Sequence, residues 1–193
     1  MKRKTFSELF LIFFLASFFY TNITAQNSLI SIKLGQPSNV GNTFYSDWDG
    51  IINAGIKYSN LRKRNLYLNV YFNYDRLNYP LYDWNSKQNL YKFGLGLQYK
   101  VMISNTANLY PQFGVGYAYQ NINNETYNSS VDNSGLNLLS EIELLFQVMD
   151  NLNAGLSLRY DYIWLGLPEY AGDSTYNRRI HTITPTVQLL IEL

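Results

Sequence analysis

Leu66-Tyr67-Leu68-Asn69-Val70-Tyr71-Phe72-Asn73-Tyr74 sorts its residues into two sets by parity. Successive side chains of a strand point to opposite faces, so Leu66, Leu68, Val70, Phe72 and Tyr74 share one side and Tyr67, Asn69, Tyr71 and Asn73 the other. A helical period of 3.6 would smear both sets around the axis. Residues 91–101 repeat the pattern, with Tyr91, Phe93, Leu95, Leu97, Tyr99 and Val101 set against Lys92, Gly94, Gly96, Gln98 and Lys100. Working outward, the same alternation recurs over residues 29–34, 51–59, 109–120, 136–148, 152–164 and 181–193, which makes eight segments. Most are close to the roughly 9–11 residues that a tilted strand needs to cross a bilayer.

The breaks between segments are rich in Asn, Asp, Ser and Gly, and their lengths alternate. Residues 35–50, 75–89, 121–135 and 165–180 are long connections, whereas 60–65, 102–108 and 149–151 are short. Long connections thus always follow odd-numbered strands. That order predicts an all-β, eight-stranded antiparallel up-and-down barrel, with four long loops at one end and the termini and short turns at the other.

Charge and aromatic placement decide which face looks outward. The apolar faces carry almost no charge in mid-segment and gather rings near their ends: Tyr58, Tyr74, Tyr91, Tyr99, Tyr117, Tyr119, Tyr160, Tyr162 and Trp164. Such girdles sit at the two interfaces of a membrane. The opposite face carries Lys33, Lys57, Lys92, Lys100, Glu141, Glu143, Arg159, Asp161 and Glu192, interleaved with glycines. Eight strands enclose a space that side chains fill, so these charges are expected to pair in a plugged lumen. Equal distance from the turn at Asp150 and Asn151 places Arg159 opposite Glu141. Pro185 predicts a bulge in the last strand, and Pro111 marks the start of its own.

The chain opens with Lys2, Arg3 and Lys4, continues through an apolar stretch over residues 9–20, and reaches Thr24, Ala25 and Gln26. This is the order of a cleavable signal peptide over residues 1–25, with the barrel domain spanning 26–193. Removing the leader takes away those three basic residues and Glu8, which leaves 12 basic and 13 acidic residues and a net charge of −1. No strongly basic face remains to attract nucleic acid. Cys is absent, so the exported fold relies on secondary structure and burial.

The stretches Tyr91-Lys92-Phe93-Gly94-Leu95-Gly96-Leu97-Gln98-Tyr99 and Phe113-Gly114-Val115-Gly116-Tyr117-Ala118-Tyr119 resemble the small outer-membrane β-barrel domain family common in Bacteroidota-type bacteria. That family is similar in form to OmpA-, OmpX- and OmpW-like barrels. The resemblance implies an address in the outer membrane of a Gram-negative envelope, contact with its lipid, and both mature termini in the periplasm. Such barrels usually end in an aromatic residue, whereas this chain ends in Leu193.

Little in the sequence points to catalysis. With one His and no Cys, a zinc site of those ligands is excluded by count, and Asp47, Asp49 and Asp83 are too dispersed for a calcium cage. No metal, cofactor or catalytic residue is assigned. His181 falls by parity on the lipid side near the loop-end rim, where some lipid-trimming barrels place a catalytic His, but its same-face neighbours are Ile183 and Pro185. Glu141 and Glu143, two apart on one strand, read as charge balance instead of an acid–base pair. Arg62, Lys63 and Arg64 form a basic short turn, and Asp173-Ser174-Thr175 is a three-residue glycosylation-like signal. The long loops set Tyr45, Trp48, Tyr82, Trp84, Tyr127 and Tyr170, with Phe44, Tyr79 and Tyr176, among small polar residues. Rings in that setting suit recognition of an unidentified protein or surface ligand, and equally a lid over the barrel. The expectation is a non-enzymatic structural or surface-interaction protein. Porin-like or OmpW-like transport of small molecules and a lipid-modifying enzyme are the alternatives, and a soluble periplasmic carrier is a third.

Overall fold

The computed structural model describes residues 28–41, 43, 45, 47–79, 86–124, 126, 128–166 and 179–193. The leader, with its cleavage point after Ala25, lies outside them, as do Phe44, Tyr82, Asp83, Trp84, Tyr127, Tyr170, Tyr176 and the 173–175 signal. Eight long strands make the wall: β1 Ser28–Gly35, β2 Asp49–Lys63, β3 Leu66–Tyr79, β4 Ser86–Tyr99, β5 Ala107–Asn124, β6 Ser129–Met149, β7 Leu152–Leu165 and β8 Arg179–Glu192. Each pairs antiparallel with the next, and β1 closes on β8 with Leu29 opposite Glu192. Closure removes the sheet edges that would otherwise invite aggregation.

The ring is staggered. From Ser31 the ladder passes through Lys57, Tyr71, Gly94, Gly116, Asn137 and Ile163 to Ile180, yet Ser31 itself pairs with Leu190. An offset of ten residues at the seam tilts the strands by about 40° and sets a narrow bore. Both described ends of the chain lie together, with the Leu193 amide donating to the Ser28 carbonyl at 2.9 Å. The β2–β3 turn is the two residues Arg64 and Asn65, at φ 38° and 64°. Positive φ at both positions is what a two-residue hairpin turn requires.

All eight segments are strands, and several run further toward the loop end than expected. β3 continues to Tyr79 and β4 starts at Ser86, while β5 and β6 turn the 121–135 connection into a hairpin arm. Polar residues do not end a strand that runs on beyond the apolar band of the wall. The prolines also depart from expectation. The β7–β8 register is unbroken across Pro185, which faces Leu158, so no bulge forms. The Pro185 carbonyl accepts from the Gln36 amide at 3.4 Å, so its nitrogen faces the same way, where β1 has just ended at Gly35. Pro111 lies five residues after Ser104-Asn105-Thr106 inside β5, at a gap between the Gln98–Gln112 pair of the β4–β5 ladder and the Val101–Leu109 pair made by the short strand Val101–Met102. A residue without an N–H thus sits in each case where the ladder to a neighbouring segment is interrupted. Pro185→Val returns one donor toward Gln36, and about 0.5–1.5 kcal/mol of stability is expected from it. The temperature at which the folded gel band converts to the unfolded one should rise, and an unchanged temperature would remove this account of the seam.

Candidate functional site

The interior is built in layers. At the turn end Leu29, Tyr67, Tyr110, Leu145 and Leu190 are buried together with Leu61 against them, the Tyr67 and Tyr110 rings meeting edge to face at 6.4 Å. Above this floor lies a first ionic cluster. Lys33 Nζ is 2.6 Å from Glu141 Oε1 and 2.6 Å from Glu143 Oε1, and Lys57 pairs with the same Glu143 oxygen. Gln98 donates to Glu143 Oε2 at 3.1 Å, and Ser157 donates to Glu141 at 2.7 Å.

A second cluster sits nearer the loop end. Lys92 Nζ lies 2.7 Å from Asp161 Oδ2 and also pairs with Asp75. Arg159 donates through Nε to Asp161 at 2.8 Å and through one terminal nitrogen to Asn73 at 2.6 Å, while the other lies 3.4 Å from Asp75. Each cluster sets two cations against two carboxylates, so both are neutral. Pairing of this kind is what makes buried charge tolerable, since an unpaired ion in such surroundings costs several kcal/mol. Between the clusters the Tyr71 ring covers a glycine patch. A Cβ at Gly94 would stand 2.6 Å from the Tyr71 hydroxyl and 2.6 Å from the Gly116 Cα, so neither the ring nor the neighbouring backbone leaves room for a side chain.

A roof closes the loop end. Leu77, Leu90, Ala118, Ile163, Leu165 and Ile180 point inward, and Tyr45 and Trp48 from the β1–β2 connection fold down onto them. The Trp48 ring lies 5.3 Å from Tyr79, and the Tyr45 hydroxyl is 3.4 Å from Gln120 Oε1. Burial pushes the Tyr45 phenol above its usual ionisation range, and its bond to Gln120 opposes that shift.

Several site residues therefore stand elsewhere than the sequence suggests. Lys100 follows β4, half-exposed and outside the ionic clusters, because the strand ends at Tyr99. Glu192, half-buried at the floor, accepts from Asn153 at 3.1 Å and joins neither cluster. Arg159 is the ladder neighbour of Glu141, but its bonds run to Asp161, Asn73 and Asp75. Tyr45 and Trp48, for which the sequence leaves recognition and a lid equally open, are 3% and 4% exposed and form the lid. Asp75 escapes sequence reasoning because it looks like the start of a loop, although the parity of Asn69, Tyr71 and Asn73 continues through it. The girdle residues face outward, with Tyr74, Tyr91 and Tyr119 forming a ring contact chain at 5.2 and 6.1 Å. Tyr58 and Tyr99 lie toward the turn end and the others toward the loop end. Among the described residues no three of His, Cys, Asp or Glu are grouped to hold a metal ion.

Ile32, Leu34, Phe72, Leu95, Leu97, Phe113, Ile142, Leu156, Leu158 and Val187 form an exposed apolar belt on the outside, while the ions are sealed within. A closed ring of that polarity, girdled by aromatics, defines the fold of a small eight-stranded outer-membrane β-barrel. No family model and no curated protein matches the sequence. Among solved structures, the chain is similar to Neisserial surface protein A, at 14% identity and a TM-score of 0.63 over 86% of this chain and 97% of that one. It is similar too to a major outer membrane protein of Thermus thermophilus, at 13% and 0.60 over 86% and 99%. Ail, the attachment invasion locus protein of Yersinia pestis, solved with the heparin analogue sucrose octasulfate, matches at 16% and 0.54 over 86% and 98%.

Proposed function

We propose that this is a non-enzymatic outer-membrane barrel with a structural and surface-interaction role, its loop end facing the outside of the cell and its termini the periplasm. The observation that carries this reading is the β5–β6 arm. Both strands continue well past Tyr119, and the arm is knitted by polar side chains: Asn121 donates to Asp132 at 2.6 Å, Asn133 to Gln120 at 2.9 Å, and Asn123 to Asn121 at 2.8 Å. Ser129, Ser130, Val131 and Asp132 on it are exposed. A rigid polar projection offers a contact surface at little ordering cost, which favours binding.

The sequence has no Cys, so a single introduced thiol is unique. Val131→Cys should react with a membrane-impermeant maleimide on intact cells, and Arg64→Cys only after the outer membrane is breached; the reverse pattern would invert the orientation. Replacing residues 123–130 by Asn-Gly keeps Ile122, which packs against the roof, and should leave thermal unfolding of the barrel nearly unchanged while reducing attachment of whole cells to protein- or glycan-coated surfaces severalfold. Equal attachment with and without the arm would end the surface-interaction reading.

A further inference from the structure

The outer wall of β7 and β8 changes character in steps. Cross-strand pairs Ala154–Leu189, Leu156–Val187 and Leu158–Pro185 are aliphatic, followed toward the loop end by Tyr160–Ile183, Tyr162–His181 and Trp164–Arg179. Arg179 and His181 are thus neighbours on one face, at the height of the aromatic girdle. The Arg179 guanidinium lies 4.9 Å from the Trp164 ring centroid, a cation–π contact that holds it against the wall. The Tyr160 hydroxyl is 2.7 Å from His181 Nδ1, and the Tyr162 ring meets the imidazole edge-on at 4.9 Å. In the tautomer in which the tyrosine donates to Nδ1, the imidazole carries its proton on Nε2 and presents an N–H donor.

This rim holds donors without a matching acceptor. The ion pairs among the described residues that involve Lys33, Lys57, Lys92 and Arg159 all lie in the lumen, and Arg179 joins none of them. Among the described residues its Nε, turned away from solvent, has no acceptor, while the side chain as a whole is half-buried. A shielded guanidinium nitrogen without an acceptor is costly, and its fork matches the oxygens of a phosphate. At the girdle, aromatic rings sit at headgroup level, so the anion that reaches this height on the outside of the wall belongs to a lipid.

We propose that Arg179 and His181, held by Trp164, Tyr160 and Tyr162, form a binding site for the phosphate of an anionic lipid headgroup in the leaflet at the loop end. The guanidinium takes two phosphate oxygens, His181 Nε2–H a third, and the non-ionic part of the headgroup lies against Trp164. Placing the site in the outer leaflet rests on the orientation argued above, but the binding chemistry does not.

The full protein, extracted from membranes in a neutral detergent, can be titrated with lipid A and read by native mass spectrometry. One lipid A should be retained per chain. Arg179→Gln should weaken retention roughly tenfold or more, a loss of about 1.4 kcal/mol, and His181→Gln severalfold. Arg179→Lys should fall between, since it keeps the charge and loses the fork. Arg62→Gln at the opposite end should change nothing. Dephosphorylated lipid A should not be retained, and millimolar inorganic phosphate should not displace the lipid. Each variant is first checked for the heat-dependent gel shift of a folded barrel. Equal retention by folded wild type and Arg179→Gln overturns the proposal, as does displacement by millimolar inorganic phosphate, which would make this a free-phosphate site. Because the titration is done in detergent, its failure is separable from a failed orientation, which the Val131→Cys labelling reads alone.

Discussion

Glu143→Ala should destabilise the barrel by about 3–5 kcal/mol, the range for stripping one partner from a buried ionic group. The carboxylate uses both oxygens: Oε1 holds Lys33 at 2.6 Å and also Lys57, and Oε2 accepts from Gln98 at 3.1 Å. Without it Lys33 retains Glu141, whereas Lys57 keeps only the amide oxygen of Gln112 at 3.0 Å. One uncompensated ammonium then remains in a lumen where Lys57 is 2% exposed. Adding Lys57→Met restores neutrality with a side chain of similar length, so the double variant should be markedly more stable than Glu143→Ala alone. That non-additivity is the signature of a coupled pair. Unfolding by urea in lipid vesicles gives the four free energies of the cycle. A single variant within about 1 kcal/mol of wild type would mean that the cluster is solvated and the lumen wet.

The ring, its strand count and the direction of each face are legible in the sequence because they depend only on parity and on the alternation of short and long connections. Strand ends are not. In an ordinary sheet a run such as Asp75-Arg76 or Asn121-Ile122-Asn123 marks a break, but a barrel with an ionic interior accepts Asp75 inside the wall, and its exposed arm accepts asparagine on both faces. The apolar floor and roof carry a signal that strict alternation overlooks. Leu144-Leu145-Phe146, Tyr162-Ile163-Trp164 and Leu189-Leu190-Ile191 each interrupt the alternation with three apolar residues, and the middle one is buried in the lumen every time. Ion pairing is half legible: register fixes Glu141 beside Arg159, but which carboxylate a long cation selects depends on reach across the bore, and Lys33 on β1 crosses to β6. The inward fold of Tyr45 and Trp48 has no local signature, because it is decided by the roof they cover.

Planar bilayers containing the protein should show no steady single-channel steps, and clearing one apolar layer should not create them. An ion entering from the turn end meets the floor of Leu29, Tyr67, Tyr110, Leu145 and Leu190, and one entering from the loop end meets the Trp48 lid and the Leu77–Leu90 layer. Neither layer offers charged ligands to replace a hydration shell, so each opposes passage by itself. The two neutral clusters between them give a passing ion no net charge to exchange with, and their side chains are held by bonds of 2.6–2.7 Å such as Lys33–Glu141 and Lys92–Asp161. Tyr67→Ala with Tyr110→Ala opens the floor only, and should stay silent. Adding Trp48→Ala, Leu77→Ala and Leu90→Ala admits water to the clusters from both ends, and small, flickering conductance is expected then. Steady steps from the unmodified chain would show that these layers part readily, and the barrel would have to be read as a conduit in place of a sealed platform for its outer arm.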